Sequence, residues 1–474
     1  MIYEIVMSLI VRINIRIKLE WILILFFHLF FVSSANGFQG IMQTSYGARQ
    51  AGMGGAFQAI GGSVLDLESN PSHLSRLLNS KLEFGGAAHF AQIEYSDSFM
   101  DIRPDLSYSN RITQRQRALL PYIGYISRLS DRLGIGIALY SQGGGGARFS
   151  NITRLAPEKK NLNETLGLEI PIVGSERKIR EDMVFKFMVT KMTFGFGYRF
   201  DRLAIGAGAD LVYSFMQMER TYRDETRSLE LPGSFQYSSD PSYTLGGKLG
   251  ISYELTQKIR IAYSYTLKNV LHLDGEMKVE SPDPGNLGAT RVSRFMIWPD
   301  RHIFGISYRT DVWLFDFDVK FVPWSESFRT SKFILEQSLI QTPVGANTNT
   351  MQMNFRWRDQ YTFAIGAEYN WSRILRLRIG YNYGKSPVTD QGLSPMLGST
   401  TEHHLSGGIG FYRNDYALHV ALEYGFPKRM KGGASSDWSI SHSVFSENDV
   451  SLQSFQFDKS VSVFSLYFGF ELNT

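Results

Sequence analysis

The stretch from Tyr361 to Gly384 alternates in character with a period of two, on both sides of a short turn. Large side chains occupy every second position: Tyr361, Phe363, Ile365, Ala367 and Tyr369, then Leu375, Leu377, Ile379, Tyr381 and Tyr383. The intervening positions are small, polar or charged. Because successive strand side chains point to opposite faces, the stretch predicts a hairpin with one apolar and one polar face. A transmembrane barrel places such faces against lipid and lumen and gathers aromatic residues at the interfaces, so this pattern favours a barrel over a soluble sandwich.

The same alternation recurs along the chain in fourteen segments. They are residues 81–95, 117–129, 132–143, 183–200, 202–219, 242–254, 257–272, 294–309, 311–324, 352–370, 374–385, 401–413, 415–427 and 459–472. The sequence therefore predicts an all-β fold, a fourteen-stranded antiparallel transmembrane β-barrel over residues 80–474.

The connections between these segments are sorted by length. Those after even-numbered segments are tight turns, at 130–131, 201, 256–257, 310, 371–373 and 414. Those after odd-numbered segments are long, at 96–116, 144–182, 220–241, 273–293, 325–351, 386–400 and 428–458. Bacterial outer-membrane barrels have short periplasmic turns and long extracellular loops. We therefore expect the protein in the outer membrane of the cell, crossing it many times as strands.

Composition excludes several other classes of protein. Beyond the N-terminus no apolar run approaches the roughly 20 residues that a transmembrane helix needs. A formal net charge of +4 over 474 residues argues against a nucleic-acid partner. The absence of cysteine excludes disulfides and thiolate metal sites. A mean hydropathy of −0.15 suits a barrel, in which only every second strand residue need be apolar.

The N-terminus predicts an export signal over residues 1–35. Basic residues precede the apolar run Trp21–Val32, and Ser33–Ala35 supply the small residues of a cleavage site. The apolar run is short for a membrane anchor, which is the alternative interpretation. We expect the mature chain to begin near Asn36, and Met7 is an alternative start of translation.

Residues 36–79 break the alternation and predict a plug, or hatch, inside the barrel. The stretch Gly47–Phe57 is rich in glycine and small residues, which close packing against a surrounding wall requires. Asn70 and Pro71 mark a turn. The glycines do not form a phosphate-binding loop, because no Lys-Ser/Thr pair follows them and no strand precedes them.

Two strands place apolar side chains on the face that should line a wet lumen. These lumen-facing residues are Phe185, Phe187 and Val189 in the fourth segment, and Met216 and Met218 in the fifth, which ends at Arg220. Methionine adapts its shape to a flexible apolar ligand, and an arginine binds a carboxylate through a forked, charge-assisted bond. They are candidate ligand-binding residues. The alternative is that they pack against the plug or an infolded loop.

The third segment ends in Ser141 and Gln142, followed by four glycines: Gly143, Gly144, Gly145 and Gly146. Consecutive glycines weaken a strand and allow it to bend or bulge. Two interpretations remain open. Ser141 and the four glycines form an irregular place in the barrel wall, or they form the flexible start of a long loop.

Several stretches together resemble the FadL-type long-chain fatty acid transporters of the outer membrane, a family with OmpP- and TodX-like carriers of hydrophobic compounds. They are Arg132–Phe149, Phe187–Arg220, Leu245–Asp274, Trp298–Tyr308 and Arg376–Thr389. The resemblance covers nearly all of the mature chain. Asn70-Pro71 resembles the Asn-Pro-Ala motif of that family's hatch, with Ser72 in place of the alanine.

The resemblance implies passive uptake of hydrophobic molecules, with long-chain fatty acids as the first expectation, through a lumenal pocket and a sideways opening at the kinked third strand. Two alternatives stay open: a carrier of aromatic hydrocarbons, and a surface adhesin or receptor built on a barrel. We expect a monomer in contact with outer-membrane lipid, without cofactor or metal. We expect no enzymatic activity, because His403 and His404 point to opposite faces of a strand and no nucleophile motif accompanies them.

Overall fold

The computed structural model describes residues 40–100, 104–157, 176–223, 234–280, 287–337, 340–341, 347–432 and 456–474, so the expected signal peptide lies outside the described residues. The main element is a closed antiparallel sheet of fourteen strands, which confirms the predicted fold class. Nine strands are continuous: β1 (Lys81–Phe99), β2 (Tyr108–Arg128), β3 (Leu133–Pro157), β4 (Glu176–Phe200), β5 (Leu203–Arg223), β11 (Leu375–Gly384), β12 (His403–Tyr412), β13 (Tyr416–Gly432) and β14 (Gln456–Asn473). The barrel closes because β1 pairs with β14 from Lys81–Asn473 to Ser98–Gln456.

The other five strands are interrupted. They are β6 (Phe235–Ser239, Ser242–Glu254), β7 (Ile259–Thr266, Asn269–His272, Gly275–Glu280), β8 (Leu287–Ser293, Phe295–Trp298, Arg301–Arg309), β9 (Trp313–Val322, Thr330–Leu335) and β10 (Thr350–Asn354, Gln360–Asn370). Pro241, Pro299 and Pro323 lie at three of the breaks. Proline has no N–H to donate to the ladder, which explains why pairing stops there. A small hairpin pairs Ile340–Gln341 with Asn347–Thr348.

The two faces of the wall divide as the alternation predicts. In the hairpin of residues 361–384, Ile365 pairs with Tyr381 and both side chains are exposed on the outer face. Ala364 and Asn382, one position along, are buried in the lumen. Exposed apolar residues recur around the outside, as at Phe194, which suits contact with lipid.

Strands β3 and β4 are longer than the alternation indicates. Each has 25 residues, whereas a membrane-spanning strand needs about 9–11. Strand β2 likewise begins at Tyr108 rather than at 117. Above the membrane the outer face of a strand contacts water and becomes polar, as at Arg111 and Arg115. The apolar–polar alternation disappears there although the strand continues, so sequence reasoning shortened these strands.

Residues 40–79, here called the N-terminal segment, are almost entirely buried. They form helices α1 (Ala48–Gly52) and α2 (Asp66–Ser69) and a 3₁₀ turn (Pro71–Arg76). The segment bonds to lumen-facing side chains on separate parts of the wall, including Glu83 on β1, Asp318 on β9 and Glu423 on β13. It therefore lies inside the barrel. Its role as a hatch stays a prediction.

A further helix, α3 (Trp324–Ser327), lies in the interruption of β9. Within the described residues no helix has the length and apolar character needed to cross a membrane.

Candidate ligand site in the extracellular half of the lumen

The extracellular half of the lumen is filled by one large group of contacting apolar side chains, here called the apolar cluster. Its buried members come from the strand ends, from the infolded connections and from the start of the N-terminal segment. They include Ile41, Met42, Ile93, Tyr95, Phe149, Phe185, Phe187, Val189, Val212, Met216, Met218, Tyr237, Leu271, Met277, Met296, Trp298, Trp324, Phe328, Phe333, Phe355, Trp357, Val388, Leu393, Met396, Leu397, Phe457 and Val461. The methionines of this cluster can make room for a ligand, because the unbranched thioether side chain adapts its shape.

The five apolar residues singled out from the sequence all belong to this cluster. Phe185, Phe187, Val189, Met216 and Met218 face the lumen with at most 4% of their surface exposed. They are brought together because β4 and β5 pair in register, with Phe187 opposite Met216 and Phe185 opposite Met218. Their part in ligand binding stays a prediction.

Aromatic residues at and beside the breaks in the strands complete the cluster. Trp298 at the break in β8 lies between Phe187 and Trp324, with ring centroids 6.0 and 6.4 Å away. Phe328 stacks on Trp357 at 4.7 Å. The connections 325–351 and 386–400 were expected to project outward as loops. Parts of both instead fold into the barrel, because their apolar residues find buried partners there.

A lysine fixes the second of these infolded connections. Lys459 on β14 is buried and donates to the carbonyl oxygens of Ser394 and Gly398, at 3.0 and 2.8 Å. These bonds hold the apolar Met396 and Leu397 against the strands. The sequence does not reveal this function, because Lys459 is distant from residues 386–400 along the chain and approaches them only in the folded protein.

Arg294 carries a buried charge inside the apolar cluster. Its side chain is only 2% exposed, and its Nε donates to Ser331 Oγ at 3.0 Å. The guanidinium lies 4.0 Å from the ring centroid of Phe333 and 2.9 Å from Met216 Sδ. Among the described residues it forms no ion pair, since the nearby Asp274 carboxylate accepts the main-chain N–H of Arg294 instead. The inward row of Val292, Arg294, Met296 and Trp298 was the sequence signal for this residue, and it was missed.

Arg220, the cation predicted from the sequence, has a different environment. It shares the lumen-facing parity of Met218 but forms an ion pair with Glu181 and lies over the ring of Tyr222. Glu181 also binds Arg154 at 2.7 Å, and Arg154 in turn binds Asp97 at 2.6 Å. Arg220 is therefore one member of a compensated buried network, and its contact with a ligand stays a prediction.

The N-terminal segment lies in the lumen below the apolar cluster and bonds to the wall there. Glu68 binds Arg301 on β8 at 2.5 Å, and Gln142 on β3 lies 3.4 Å from the same carboxylate oxygen. Burial acts to raise the pKa of Glu68, but the charges of Arg301 and Lys248 outweigh it and hold that pKa below its usual value. Above the short turns, Arg376 and Arg378 on β11 bind Glu368 on β10.

Asn70 and Pro71 dock against a part of the wall that only glycine can form. The Asn70 side chain caps the 3₁₀ turn through Ser72 N at 3.1 Å and donates to the carbonyl oxygen of Ile251 at 3.2 Å. A Cβ on Gly250 would lie 2.0 Å from Asn70 Oδ1, and one on Gly206 would lie 2.4 Å from the Pro71 carbonyl carbon. The glycines on the lumenal face thus permit close packing of this segment.

The wall is incompletely paired between β2 and β3. Their ladder runs from Arg128–Gly134 to Tyr122–Tyr140 and, within the described strands, goes no higher. Strand β3 bulges at Gln142, because its pairing with β4 shifts register between Ser141 and Gly143. The pairing is thus irregular on both sides of β3 near Ser141, because the ladder with β2 ends at Tyr140 and the register against β4 shifts after Ser141.

The four glycines themselves remain part of strand β3 on its other side. Gly143 pairs with Val189 of β4, and the register continues with Gly144 opposite Met188, Gly145 opposite Phe187 and Gly146 opposite Lys186. The interpretation of these glycines as the flexible start of a loop is wrong, because β3 continues through them to Pro157. The expected irregularity also does not extend along all four of them, since from Gly143 to Gly146 the pairing with β4 is regular. A role of Ser141, Gly143, Gly144, Gly145 and Gly146 as a lateral opening stays a prediction.

Other groups occupy the edge of β3 that the ladder to β2 leaves. Gly144 N donates to the Ile41 carbonyl oxygen at 2.8 Å, and Gln43 Nε2 donates to the Ser141 carbonyl oxygen at 2.7 Å. Higher up, the Asn110 side chain on β2 bonds both N–H and C=O of Thr153, at 2.8 and 3.1 Å. Side chains and the N-terminal segment thus replace a regular backbone ladder.

The comparisons with known proteins agree with this architecture. A family model described as outer membrane protein transport protein (OMPP1/FadL/TodX) matches residues 188–467, more than half of the chain. The chain belongs to the OMPP1/FadL/TodX family. The family consists of outer-membrane transport proteins, so the protein is an outer-membrane transporter of hydrophobic compounds and not an enzyme.

Three solved structures of this family show the same fold. The toluene transporter TodX of Pseudomonas putida superposes with a TM-score of 0.62 at 18% identity over 92% of this chain and 99% of its own. A FadL homologue of Pseudomonas aeruginosa gives 0.64 at 13% identity over 91% and 98%. The monoaromatic hydrocarbon channel CymD gives 0.55 at 18% over 93% and 99%. A search of the curated proteins finds no match.

The described residues contain no group of three or more His, Asp or Glu side chains that could hold a metal ion. His403 is exposed and His404 is buried, so the two rings lie on opposite faces of the wall.

Proposed function

We propose that the protein admits long-chain fatty acids through the apolar cluster, with Arg294 binding the carboxylate, and releases them sideways between β2 and β3. The proposal rests on one observation. The Arg294 guanidinium lies inside an apolar site and has no counter-ion among the described residues. An uncompensated buried charge is unfavourable, and a ligand carboxylate would neutralise it. An amphipathic acid supplies both that carboxylate and an apolar chain.

The apolar cluster fits the rest of such a ligand. Each CH₂ transferred from water to the cluster contributes about 0.8 kcal/mol, so a long acyl chain gains much more than a single aromatic ring. Met216 contacts the Arg294 guanidinium, and Phe187 lies opposite Met216 in the pairing of β4 with β5. We infer that these side chains and Phe185 and Val189 line the acyl chain.

The gap in the ladder between β2 and β3 supports sideways release. The N-terminal segment fills the lumen below the cluster, so an apolar molecule must either displace it or pass through the wall. Passage into lipid avoids re-exposure of the chain to water, which for sixteen carbons would be unfavourable by something on the order of 10 kcal/mol. Ser141 and Gly143–Gly146 lie on β3 above the point where its ladder with β2 ends.

The test is uptake of labelled oleate and of toluene by cells that carry no gene, the wild-type gene, Arg294→Gln or Arg220→Gln. Loss of the Arg294 charge should weaken oleate binding by about 1.5–3 kcal/mol, the typical contribution of a hydrogen bond to a charged group. Toluene uptake should be unchanged, because toluene carries no charge. Arg220→Gln is the matched control, because Arg220 already has a carboxylate partner. We expect it to lower oleate uptake less than Arg294→Gln does.

The second candidate function is uptake of monoaromatic hydrocarbons. The specific observation in its favour is the similarity to TodX and CymD, whose names specify toluene and monoaromatic hydrocarbons. Uptake of toluene without uptake of oleate would select it over the fatty-acid proposal. Failure of both uptake assays, with normal amounts of barrel at the cell surface, would leave the adhesin or receptor function predicted as an alternative.

A further inference from the structure

Strands β2, β3 and β4 carry cationic side chains on the outside of the barrel, near its extracellular end. Five of these residues, here called the outer basic cluster, are exposed: Arg111, Arg115, Arg117, Arg148 and Lys186. Their neighbours along the strands, such as Ala118 and Phe185, are buried towards the lumen. The five side chains therefore point away from the transport path.

The strand pairing places these residues side by side. The Gln116 amide, in the orientation that satisfies both its polar atoms, donates to the Gly146 carbonyl oxygen at 2.8 Å and accepts from Arg148 N at 3.1 Å. Gly146 is paired with Lys186 on β4. Arg115 and Arg117 flank Gln116 on β2, so the cluster spans the incompletely paired part of the wall.

The outer basic cluster differs from other exposed cations in its lack of acidic partners. Among the described residues none of the five forms an ion pair, whereas Arg429 binds Glu94 and Asp458, and Arg291 binds Asp240. The carboxylates nearest to the cluster on the outer face have other partners or form no ion pair with it. Glu94 binds Arg429, and Asp182 accepts the N–H of Asn151. Glu219 lies diagonally across from Lys186 on the paired strand and, among the described residues, forms no ion pair with it.

The lowest member of the cluster lies at the height of the outer membrane surface, and the other members lie above it. Arg117 lies eleven residues from the periplasmic end of β2. At about 3.3 Å per residue and a tilt of about 40°, this corresponds to roughly 28 Å above that end, just beyond an apolar band about 25 Å tall. Leu119 and Phe90, the exposed apolar residues next to Arg117, end the lipid-facing surface at this place.

From this geometry we propose that the outer basic cluster binds the phosphate groups of a phosphorylated lipid headgroup in the outer leaflet. Arginine binds phosphate with forked, charge-assisted hydrogen bonds, and clustered cations at a membrane surface attract anionic lipid. The acyl chains of the bound lipid would cover the apolar wall below, beside the gap between β2 and β3. This inference does not depend on the nature of the transported compound.

Native mass spectrometry of the purified barrel, titrated with diphosphoryl lipid A, tests the proposal. The variant replaces Arg115, Arg117, Arg148 and Lys186 together by glutamine. The matched control replaces four exposed cations at the short turns, Arg132, Arg202, Lys258 and Arg373, by glutamine, with the same change in net charge. Digalactosyl diacylglycerol serves as the uncharged lipid, and heat modifiability verifies that every barrel is folded.

We expect the cluster variant to bind lipid A at least tenfold more weakly than the wild type, while the control variant binds it normally. All three barrels should bind digalactosyl diacylglycerol equally, and high salt should weaken only the binding of lipid A. Equal affinity of the wild type and the cluster variant for lipid A would overturn the proposal. So would a parallel loss of lipid A binding in the control variant, or of the uncharged lipid in the cluster variant. If the fourfold variant does not fold, the single change Arg115→Gln is titrated in the same way and must lower the affinity several-fold.

Discussion

Gly250 shows how a single position on the lumenal face determines the packing of the N-terminal segment. Its missing side chain leaves the space that Asn70 Oδ1 occupies, and Asn70 in turn holds the 3₁₀ turn through Ser72 N. A residue type that would only weaken a strand elsewhere is required here by the close approach of a second backbone.

We predict that Gly250→Ala displaces the Asn70-Pro71 turn, since the new Cβ would lie 2.0 Å from Asn70 Oδ1. Overpacking of this kind typically costs about 1–3 kcal/mol. Faster hydrogen exchange at the amides of residues 70–77 is the expected result. Gly407→Ala is the control, because its Cβ would meet nothing nearer than 3.7 Å. Equal exchange in the two variants would refute the steric account.

His73 couples the same turn to pH. The ring is buried, and its Nε2 lies 2.8 Å from the Gln58 carbonyl oxygen, near Arg76 and Arg260. Burial and the charge of Arg260 lower the pKa of His73 to about 3. The folded state therefore holds a neutral ring, and its stabilising contribution is complete above the unfolded pKa of about 6.5.

We predict that docking of the 3₁₀ turn weakens as pH falls from about 6.5 towards 3, because the undocked state then binds the additional proton. Hydrogen exchange of residues 70–77, corrected for the intrinsic effect of pH, measures this change. His73→Gln should remove the part of this pH dependence that protonation of the His73 ring causes. An unchanged pH profile in that variant would assign the dependence to another group.

At the scale of elements, the contact between β2 and β3 is held in two different ways. Below Tyr122–Tyr140 the strands share a backbone ladder. Above it, the side chains of Asn110 and Gln116 bond to the main chain of β3. A side-chain bridge can open without the loss of a whole row of cooperative bonds, so this part of the wall is the easier one to part.

We predict that Asn110→Ala and Gln116→Ala each expose one amide of β3, that of Thr153 and that of Arg148 respectively. Loss of a hydrogen bond worth about 0.5–1.5 kcal/mol should raise the exchange rate of that amide several-fold. The ladder-paired amides between Gly134 and Tyr140 are the internal control and should not change. If they exchange faster as well, the substitution has loosened the whole hairpin.

The sequence predicted the elements whose two faces meet different solvents. The hairpin of β10 and β11 alternates along its length because Ile365 meets lipid and Ala364 meets the lumen. Alternation could not reveal the upper parts of β2, β3 and β4, where the outer face is polar and carries Arg111 or Lys186. It also could not show that the connections around Trp324 and Leu397 fold inward, since a buried loop has no fixed period.

The candidate site was predicted in its apolar part and missed in its charged part. Phe187 and Met216 were identifiable because apolar residues at lumenal parity contradict a wet lumen. Arg220 was chosen as the cation because it follows Met218 on the same strand. Its pairing with Glu181 and the isolation of Arg294 from the described carboxylates depend on contacts between strands, which the spacing along one chain does not contain.

At the scale of the whole molecule, the N-terminal segment and the barrel wall together restrict the path of a ligand. The N-terminal segment lies in the lumen between the apolar cluster and the short turns. The wall is closed by β1 and β14, and β2 and β3 share no ladder above Tyr122–Tyr140 within the described strands. This gap lies directly beside the apolar cluster, because Gly143 bridges to Met42 and a Cβ on Gly143 would lie 3.1 Å from Trp298.

The position of this gap determines which substitutions can test sideways release. Valine at Gly144 would not restore a ladder, because a Cβ there would lie 2.1 Å from the Phe187 carbonyl oxygen and the residue has a φ of +151°. Valine at Gly145 would add a side chain to the ladder with β4, where Gly145 is already paired with Phe187. A reversible link across the gap leaves both strands unstrained. The chain contains no cysteine, so introduced thiols are the only ones present.

We predict that joining Arg115→Cys to Arg148→Cys with a short bifunctional methanethiosulfonate abolishes uptake of the hydrophobic compound. Both side chains are exposed on the outer face of the wall, and Gln116, next to Arg115, accepts a hydrogen bond from Arg148 N at 3.1 Å, so the reagent can span the two sites. Binding from the outside should persist, because the link touches neither Phe187 nor Arg294, and reduction should restore uptake. The control pair, Tyr125→Cys and Ile137→Cys, lies in the regular part of the same strands, and its link should leave uptake unchanged. Uptake that continues after the gap is fully linked would contradict sideways release here. It would mean that the compound leaves past the N-terminal segment.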